Sequence, residues 1–204
     1  YARDTSRKIR AVQKAKGERG VPLTVNVPYG YVKDPENPKH WLVDPEAAAI
    51  VKRIFSMCME GRGPTQIANQ LWADKVLTPT AYKLSHGRST NAPAPEDPYR
   101  WDKRAVSLIL ERREYTGCTV NFKTYTNSIW DKKRHLNPVE NQAIFPDTHE
   151  RIIDDDVFEK VQEIRSQRHR MTRTGKSSIF SGMVYCADCG SKMQYGSSNN
   201  RDFS

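Results

Sequence analysis

Two cysteines late in the sequence have the spacing of zinc ligands. Cys186 and Cys189 form a Cys-x-x-Cys pair, and Gly190 follows it. Thiolates at this spacing supply half of a tetrahedral zinc site, and a closed structural site needs four ligands. The sequence ends at Ser204 without a second such pair, so we expect only half of a site here. A redox pair is the alternative, although nothing around the motif suggests a thioredoxin-like unit.

Basic residues are the second chemical signal. The 204 residues include 33 Lys and Arg against 24 Asp and Glu, a net charge of +9. More than half of this excess lies in residues 1–20, where seven basic residues face two acidic ones. Such a balance favours a polyanionic partner. The alternative for any charge run is a solvated basic helix without a ligand.

The remaining composition is that of a folded, non-membrane protein. Four Trp, nine Tyr and six Phe supply a core, and no apolar run approaches the ~20 residues that span a bilayer. Cys58 and Cys118 stand alone within apolar patterns. We therefore expect Cys58 to be buried as a small hydrophobic residue, and we expect neither cysteine to belong to a disulfide framework.

The first half of the chain predicts a basic helix, two strands and two further helices. A helix over 1–16 ends near Gly17 and Gly20, and 21–28 forms an extended link. Strands are expected around 28–31 and 41–43. Asp44 and Pro45 then have the order of an N-cap and a first helical residue. A second helix over 66–74 follows a glycine turn, which suggests a helix-turn-helix, although any helical hairpin has this pattern.

A proline-rich segment separates these helices from a third. Residues 78–99 contain Lys83 and Arg88 but no apolar periodicity, so we expect a loop that is disordered without DNA. The third helix is predicted from Asp102 to about Arg113. Its outward residues are predicted to be Arg104, Ser107 and Glu111, with Lys103 at the flank. Such a face can contact base edges in a major groove. The alternative is an ordinary solvent-exposed surface without a ligand.

The last part of the chain predicts strands and one more helix. We expect strands over 115–122 and 124–130, then a helix capped by Asp154–Asp156. The fold class is therefore α+β: a mainly helical, helix-turn-helix-like domain with short strands, preceded by a long basic helix and followed by a truncated zinc ribbon.

The order of these motifs resembles the recombinase domain of the large serine recombinases, which include phage serine integrases and conjugative-transposon recombinases. No single motif decides this, but their order is specific. The matching stretches lie at 15–20, 27–31, 43–46, 54–55, 67–71, 78–79, 101–117, 149–162 and 181–193.

The resemblance implies a division of labour within a longer protein. A catalytic domain before Tyr1 would carry the nucleophilic serine, so this chain would be a DNA-binding fragment and not itself an enzyme. Residues 1–20 would end the linker helix, 21–172 would form the DNA-binding domain, and 173–204 would hold a linker and half of the zinc ribbon. The parent protein would be a site-specific recombinase of bacterial or phage origin, located in the cytoplasm. It would bind zinc and would act on double-stranded attachment or transposon-end sites as a dimer that forms a synaptic tetramer.

The predicted DNA contacts combine the basic helix, the proline-rich segment and the third helix. They are Arg7, Lys14, Arg19, Lys83, Arg88, Lys103, Arg104, Ser107, Arg112 and Arg113. Arg112 and Arg113 stand where many relatives end this helix with Asn-Pro, so we expect a longer helix here. A stand-alone transcription regulator and an RNA-associated zinc-ribbon protein are the alternatives. The sequence upstream of Tyr1 would discriminate between them.

Overall fold

The computed structural model describes residues 2–24, 26–88, 90, 93–126, 133–167, 184–191 and 193. The chain divides into two compact units, 1–164 and 165–204. The predicted three-part division, with boundaries at 20 and 172, remains a prediction. No helix in the described ranges is long and apolar enough to cross a membrane.

Within the described residues the chain forms six α-helices and six short strands, as the predicted α+β class requires. The helices are α1 Ala2–Glu18, α2 Pro45–Met59, α3 Pro64–Ala73, α4 Pro79–Ser85, α5 Lys103–Leu110 and α6 Asp155–Ser166. The strands are β1 Tyr31–Lys33, β2 Trp41–Val43, β3 Thr119–Asn121, β4 Thr124–Tyr125, β5 His135–Leu136 and β6 Ala143–Phe145. They pair antiparallel into three two-stranded ribbons: β1–β2, β3–β6 and β4–β5.

The core of the 1–164 unit lies among α2, α3 and α5. Val51 and Ile54 of α2, Leu71 of α3 and Val106 of α5 are fully buried. Each helix has one apolar face at helical spacing, and these faces meet because burying apolar area is the main favourable contribution to folding. Cys58 is also buried, as predicted. The core therefore fixes α5 against the α2–α3 pair.

Local start signals place α2 and α3 as the sequence predicts. Asp44 precedes α2 and Pro45 is its first residue. Before α3, the side-chain oxygen of Gln66 accepts from the Gly63 amide at 2.8 Å, which satisfies one free donor of the first turn. Both helices therefore begin where their flanking residues require.

The segment 78–88 is not the unstructured loop that the sequence predicts. It contains α4, whose N-cap Thr78 accepts from the Ala81 amide through its hydroxyl. Tyr82 is buried in the core, and its ring packs edge-on against Tyr29 at 5.6 Å. A helix of seven residues, about two turns, with a single buried aromatic residue is too short to give the periodicity that identifies a helix in sequence.

The prediction that α5 extends to Arg113 is wrong. The helix ends at Leu110, and Arg112 has an extended backbone with φ −81° and ψ 104°. A short 3-10 turn follows at Arg113–Thr116. This break lets Tyr115 turn into the core, where it is fully buried and its hydroxyl donates to the Tyr29 carbonyl at 2.7 Å.

The strand predicted over 115–122 is shorter in the structure, and the sequence did not predict its partner strand, β6. Only β3 is extended, and it pairs with β6, where Val120 lies opposite Ile144. Of the strand predicted over 124–130, β4 covers the first two residues, and 127–130 lie outside the described residues. The helix predicted after Asp154 is confirmed as α6, in which Phe158 and Val161 are buried.

Candidate nucleic-acid interface

A basic cleft lies where α4 and its following turn meet the β1–β2 ribbon. Its volume is about 400 Å³. We call it the α4 cleft. Its lining residues are Asn26, Val27, Tyr31, Val32, Lys33, Lys83 and Arg88. Three of these described residues are cationic and none is acidic, so the cleft is suited to an anion.

The two cations from the α4 segment are held by contacts far away in sequence. The Arg88 guanidinium donates to the Asp44 carboxylate at 3.0 Å. Lys83 Nζ donates to the Val27 carbonyl at 3.4 Å. The Tyr82 hydroxyl donates to Asp44 at 2.9 Å and so ties α4 itself to the start of α2. These contacts set where both cations stand.

Two neighbouring arginines affect the protonation of Lys83. Burial lowers the pKa of Lys83, and the positive charges of Arg112 and Arg88 lower it further. Three residues that the sequence predicted separately as DNA contacts are thus brought together: Lys83, Arg88 and Arg112. Their mutual repulsion would be relieved by a bound anion, because an opposite charge within a few ångströms favours the charged form of lysine.

The exposed face of α5 carries most, but not all, of the predicted readout residues. Lys103 and Arg104 are exposed in its first turn, where Asp102 caps the Arg104 amide at 3.1 Å. Ser107 is only half-buried and lies at the edge of that face. Leu108 occupies the face instead and is 45% exposed. The face therefore offers one apolar and two cationic side chains, and the exposed C-cap residue Glu111 adds a carboxylate.

Arg113 differs from the other predicted contacts. Its guanidinium lies 3.5 Å from the Glu159 carboxylate of α6. Because Arg113 follows the break after α5, its side chain is directed toward α6 and does not continue the exposed face of α5. A phosphate contact from Arg113 would have to compete with this ion pair.

The helix α1 presents its predicted DNA contacts to solvent. Arg7 and Lys14 are exposed, and Lys14 Nζ lies 3.7 Å from the Glu18 carboxylate one turn later. Ile9 and Val12 are 57% and 51% exposed, so little of α1 belongs to the core. The backbone of α1 is anchored at Gly17, which is buried.

Comparison with known proteins decides the family. Residues 45–168 match the protein family described as Recombinase. The chain belongs to the Recombinase family. The resemblance to large serine recombinases is thereby confirmed. The matched range holds α2 to α6 and two of the seven described residues that line the α4 cleft, Lys83 and Arg88.

The relatives of this recombinase domain are longer than the chain. The uncharacterized protein YefB of Bacillus subtilis (strain 168) is 32% identical over 96 residues, which is 47% of this chain and 32% of that protein. A solved structure described as an LSR–DNA complex has a TM-score of 0.53 and 17% identity, covering 90% of this chain and 47% of that one. A second solved structure, described as "Sequence Requirements of the Listeria innocua prophage attP site", has a TM-score of 0.52 and 18% identity. The match covers 90% of this chain and 62% of that one. These structures share the fold of this chain, which spans less than two thirds of each relative.

Sequence reasoning missed one cation of the α4 cleft. Lys33 ends β1 opposite Trp41 of β2, and both Lys33 and Val32 line the cleft. A lysine at a strand end is usually a solvated residue, so its type gives no signal. Only the packing of α4 beside the ribbon brings Lys33 near Lys83.

In the 165–204 unit, Cys186 and Cys189 lie on one tight turn. The Gly190 amide donates to the Cys186 carbonyl at 2.9 Å, and the Cys186 amide donates to the Ser191 carbonyl at 2.8 Å. Hydrogen bonds from Ser191 and Cys186 lower the pKa of Cys189, which favours the thiolate that binds metal. The donors and the turn fit half of a zinc site. The described part of the chain contains no group of three or more metal-binding side chains.

Proposed function

We propose that this chain binds double-stranded DNA sequence-specifically, at attachment or transposon-end sites, as the DNA-binding part of a site-specific serine recombinase. The observation that carries the proposal is the α4 cleft. Lys33, Lys83 and Arg88 line it, Arg112 lies within electrostatic range, and its described lining has no carboxylate. Such a constellation binds phosphates regardless of sequence.

Sequence readout is assigned to α5. Its eight residues span about 12 Å, and its buried face packs on α3. Arg104 and Leu108 point away from that contact. An arginine can donate two hydrogen bonds to guanine, and an apolar side chain can contact the thymine methyl group. The pair α2 and α3, which the glycine turn joins, would then support α5 in a helix-turn-helix-like unit, with α5 in the major groove.

Catalysis is assigned to a domain outside this chain. The family resemblance gives the nucleophilic serine and its phosphate-stabilising arginines to such a domain, and transition-state charge in phosphoryl transfer is met by such groups. The parent protein would then be the enzyme, acting as a dimer on DNA and a tetramer in synapsis. The descriptions of the two structural relatives name a DNA complex and an attP site, which supports DNA as the partner.

The salt dependence of DNA affinity tests the proposal. Each neutralised phosphate contributes about −0.9 to the slope of log affinity against log salt, so affinity should fall steeply between about 50 and about 200 mM salt. We expect Lys33→Ala/Lys83→Ala to make the slope shallower by one or two such increments. The control Lys52→Ala/Lys160→Ala removes the same charge from exposed positions on α2 and α6. Equal slopes for both double variants would refute the assignment of the α4 cleft.

A further inference from the structure

A second cleft lies at the base of α1. Its volume is about 270 Å³. We call it the α1 cleft. Its lining residues are Arg19, Gly20, Val21, Pro22, Asn37, Lys39, His40, Trp41, Thr119, Thr148 and His149. Arg19 stands on one wall and Lys39 with His40 on the other. None of the described residues in this lining is acidic, so the cleft also suits an anion.

The wall that carries Arg19 is held by one buried side chain. Asn121 is 3% exposed. Its amide nitrogen donates to the Gly17 carbonyl at 3.1 Å and to the Val21 carbonyl at 2.9 Å, and its oxygen accepts from the Leu23 amide at 3.1 Å. Arg19 lies between two of these anchors. The backbone around Arg19 is therefore held by a residue of β3 that lies about 100 positions later in the sequence.

The same segment lies directly on aromatic rings of the β3–β6 ribbon and its flank. A Cβ placed on Gly17 would clash with the Phe122 ring. A Cβ on Gly20, where φ is +77°, would meet the Phe145 ring at 3.1 Å. Two glycines thus allow an approach that other residues would prevent. The backbone that carries Arg19 is therefore packed against the ribbon and is not a free linker.

The opposite wall is the turn between β1 and β2, which is braced by its own hydrogen bonds. The His40 amide donates to the Asn37 carbonyl at 2.8 Å, and the Lys39 amide donates to the Asn37 side chain at 3.2 Å. His40 Nδ1 lies 3.6 Å from the Asp34 carboxylate, outside the cleft lining. Lys39 and His40 are thereby held side by side. The other ring nitrogen of His40, Nε2, can donate or accept a hydrogen bond.

We propose that the α1 cleft binds a second phosphodiester of the DNA backbone. Arg19 and Lys39 would give charge-assisted hydrogen bonds to phosphate oxygens, and His40 would give a third donor. Asn121 would be the positioning residue. The proposal rests on the proposed DNA binding and extends it: the β1–β2 ribbon carries Lys33 to the α4 cleft and Lys39 with His40 to the α1 cleft. DNA bound in both clefts would therefore contact the protein at the base of α1 as well as beside α4.

Affinity for a mixed-sequence duplex, measured across salt concentrations, gives the first test. Phosphate contacts do not depend on sequence, so no cognate site is needed. Arg19→Ala/Lys39→Ala should make the slope shallower by about 0.9 for the lost phosphate. Lys52→Ala/Lys160→Ala, with the same change in net charge, should leave the slope unchanged. A slope equally affected in both double variants would overturn the proposal.

Titration with inorganic phosphate, followed by NMR without DNA, separates this cleft from the proposed function. Saturable shifts at the Gly20 and His40 amides that vanish in Arg19→Ala/Lys39→Ala would establish the anion site even if the chain failed to bind duplex DNA. Such shifts combined with an unchanged salt slope would identify a free-phosphate site and overturn the DNA assignment. No shifts and no slope change would overturn the site itself.

Asn121→Ala tests the positioning role without changing charge. We expect it to remove the phosphate-dependent shifts and to reproduce the shallower slope, because Arg19 would no longer be held. Asn137→Ala is the matched control: Asn137 also donates twice to carbonyls, but these belong to Phe122 and Asn141 and not to residues 17–23. If Asn121→Ala fails to fold, Asn121→Ser replaces it. Wild-type phosphate shifts in a folded variant would refute the positioning role.

Discussion

The Arg88 guanidinium donates to the carboxylate of Asp44 across 3.0 Å, which joins the turn after α4 to the residue that begins α2. Asp44 is buried, whereas the Arg88 side chain is 38% exposed. Burial alone would raise the pKa of Asp44, but hydrogen bonds from Tyr82 and Arg88 outweigh burial and lower it. One carboxylate therefore holds both a core tyrosine and a cation of the α4 cleft.

We expect the two partners to differ in their effect on stability. Asp44→Ala removes the nearer carboxylate acceptor of the Tyr82 hydroxyl and leaves it only Glu46 at 3.4 Å, so it should lower the free energy of unfolding by about 1–3 kcal/mol. Arg88→Ala should cost less than Asp44→Ala, because Arg88 is itself 38% exposed and Asp44 keeps its hydrogen bond from Tyr82, but it should weaken DNA binding. Urea unfolding and duplex affinity measure the two effects. Equal stability losses for both variants would contradict this account.

A surface pair provides the control for the Asp44 prediction. Asp74 accepts from Arg53 and from Gln70 on the exposed side of α2 and α3. Asp74→Ala removes an equally well paired carboxylate, but one outside the core. It should leave duplex affinity unchanged and should destabilise the protein less than Asp44→Ala does.

The sequence predicted the elements with strong local signals and missed those that tertiary packing creates. Pro45 and the apolar spacing of α2 are local, so that helix is recognisable. The end of α5 depends on Tyr115 reaching the Tyr29 carbonyl, 86 residues away. In the same way, Lys83 and Arg88 were predicted as DNA contacts by type, but their meeting in one cleft depends on Val27 and Asp44.

Substitutions on α5 and α1 should separate sequence readout from general affinity. Arg104→Ala should relax base preference by about 1–3 kcal/mol at one position, the usual contribution of a bidentate base contact. Ser107→Ala should have a smaller effect, because Ser107 is half-buried at the edge of the face. Arg7→Ala and Lys14→Ala should weaken binding to all sequences alike. Binding-site selection with each variant measures these effects.

Lys103→Ala is the control for readout, since Lys103 is exposed in the same turn as Arg104. It should lower affinity without changing the selected sequence. Unchanged base preference in Arg104→Ala would assign readout to another element, of which the segment 78–99 is the strongest candidate.

His149 should make stability depend on pH. Its Nε2 lies 2.8 Å from the Glu114 carbonyl, so Nε2 carries the hydrogen, and Nδ1 lies 3.0 Å from the Thr148 hydroxyl. Burial lowers the pKa of His149, and the Glu114 hydrogen bond offsets this only in part. The unfolded chain, with a histidine pKa of about 6.5, therefore binds the proton more readily than the folded one.

It follows that the contribution of His149 is complete above about pH 6.5 and is lost as the pH falls below that value. Urea unfolding of the wild type should show falling stability from about pH 7 to about pH 5. His149→Gln cannot titrate and should have a shallower dependence over this range, whatever its absolute stability. An unchanged slope in the variant would assign the titration to another group.

The 204-residue chain should bind zinc only weakly. Cys186 and Cys189 supply two thiolates, and the described residues contain no further group that completes four ligands. Because the metal-binding energy of such small modules is also their folding energy, half a site should bind zinc weakly. Elemental analysis of the 204-residue chain after dialysis should find far less than one zinc per chain, and Cys186→Ser should not change the result. A longer chain that includes a second cysteine pair should hold about one zinc. About one zinc in the short chain would mean that another residue completes the tetrahedron, and about half a zinc together with dimerisation would mean that a second copy does.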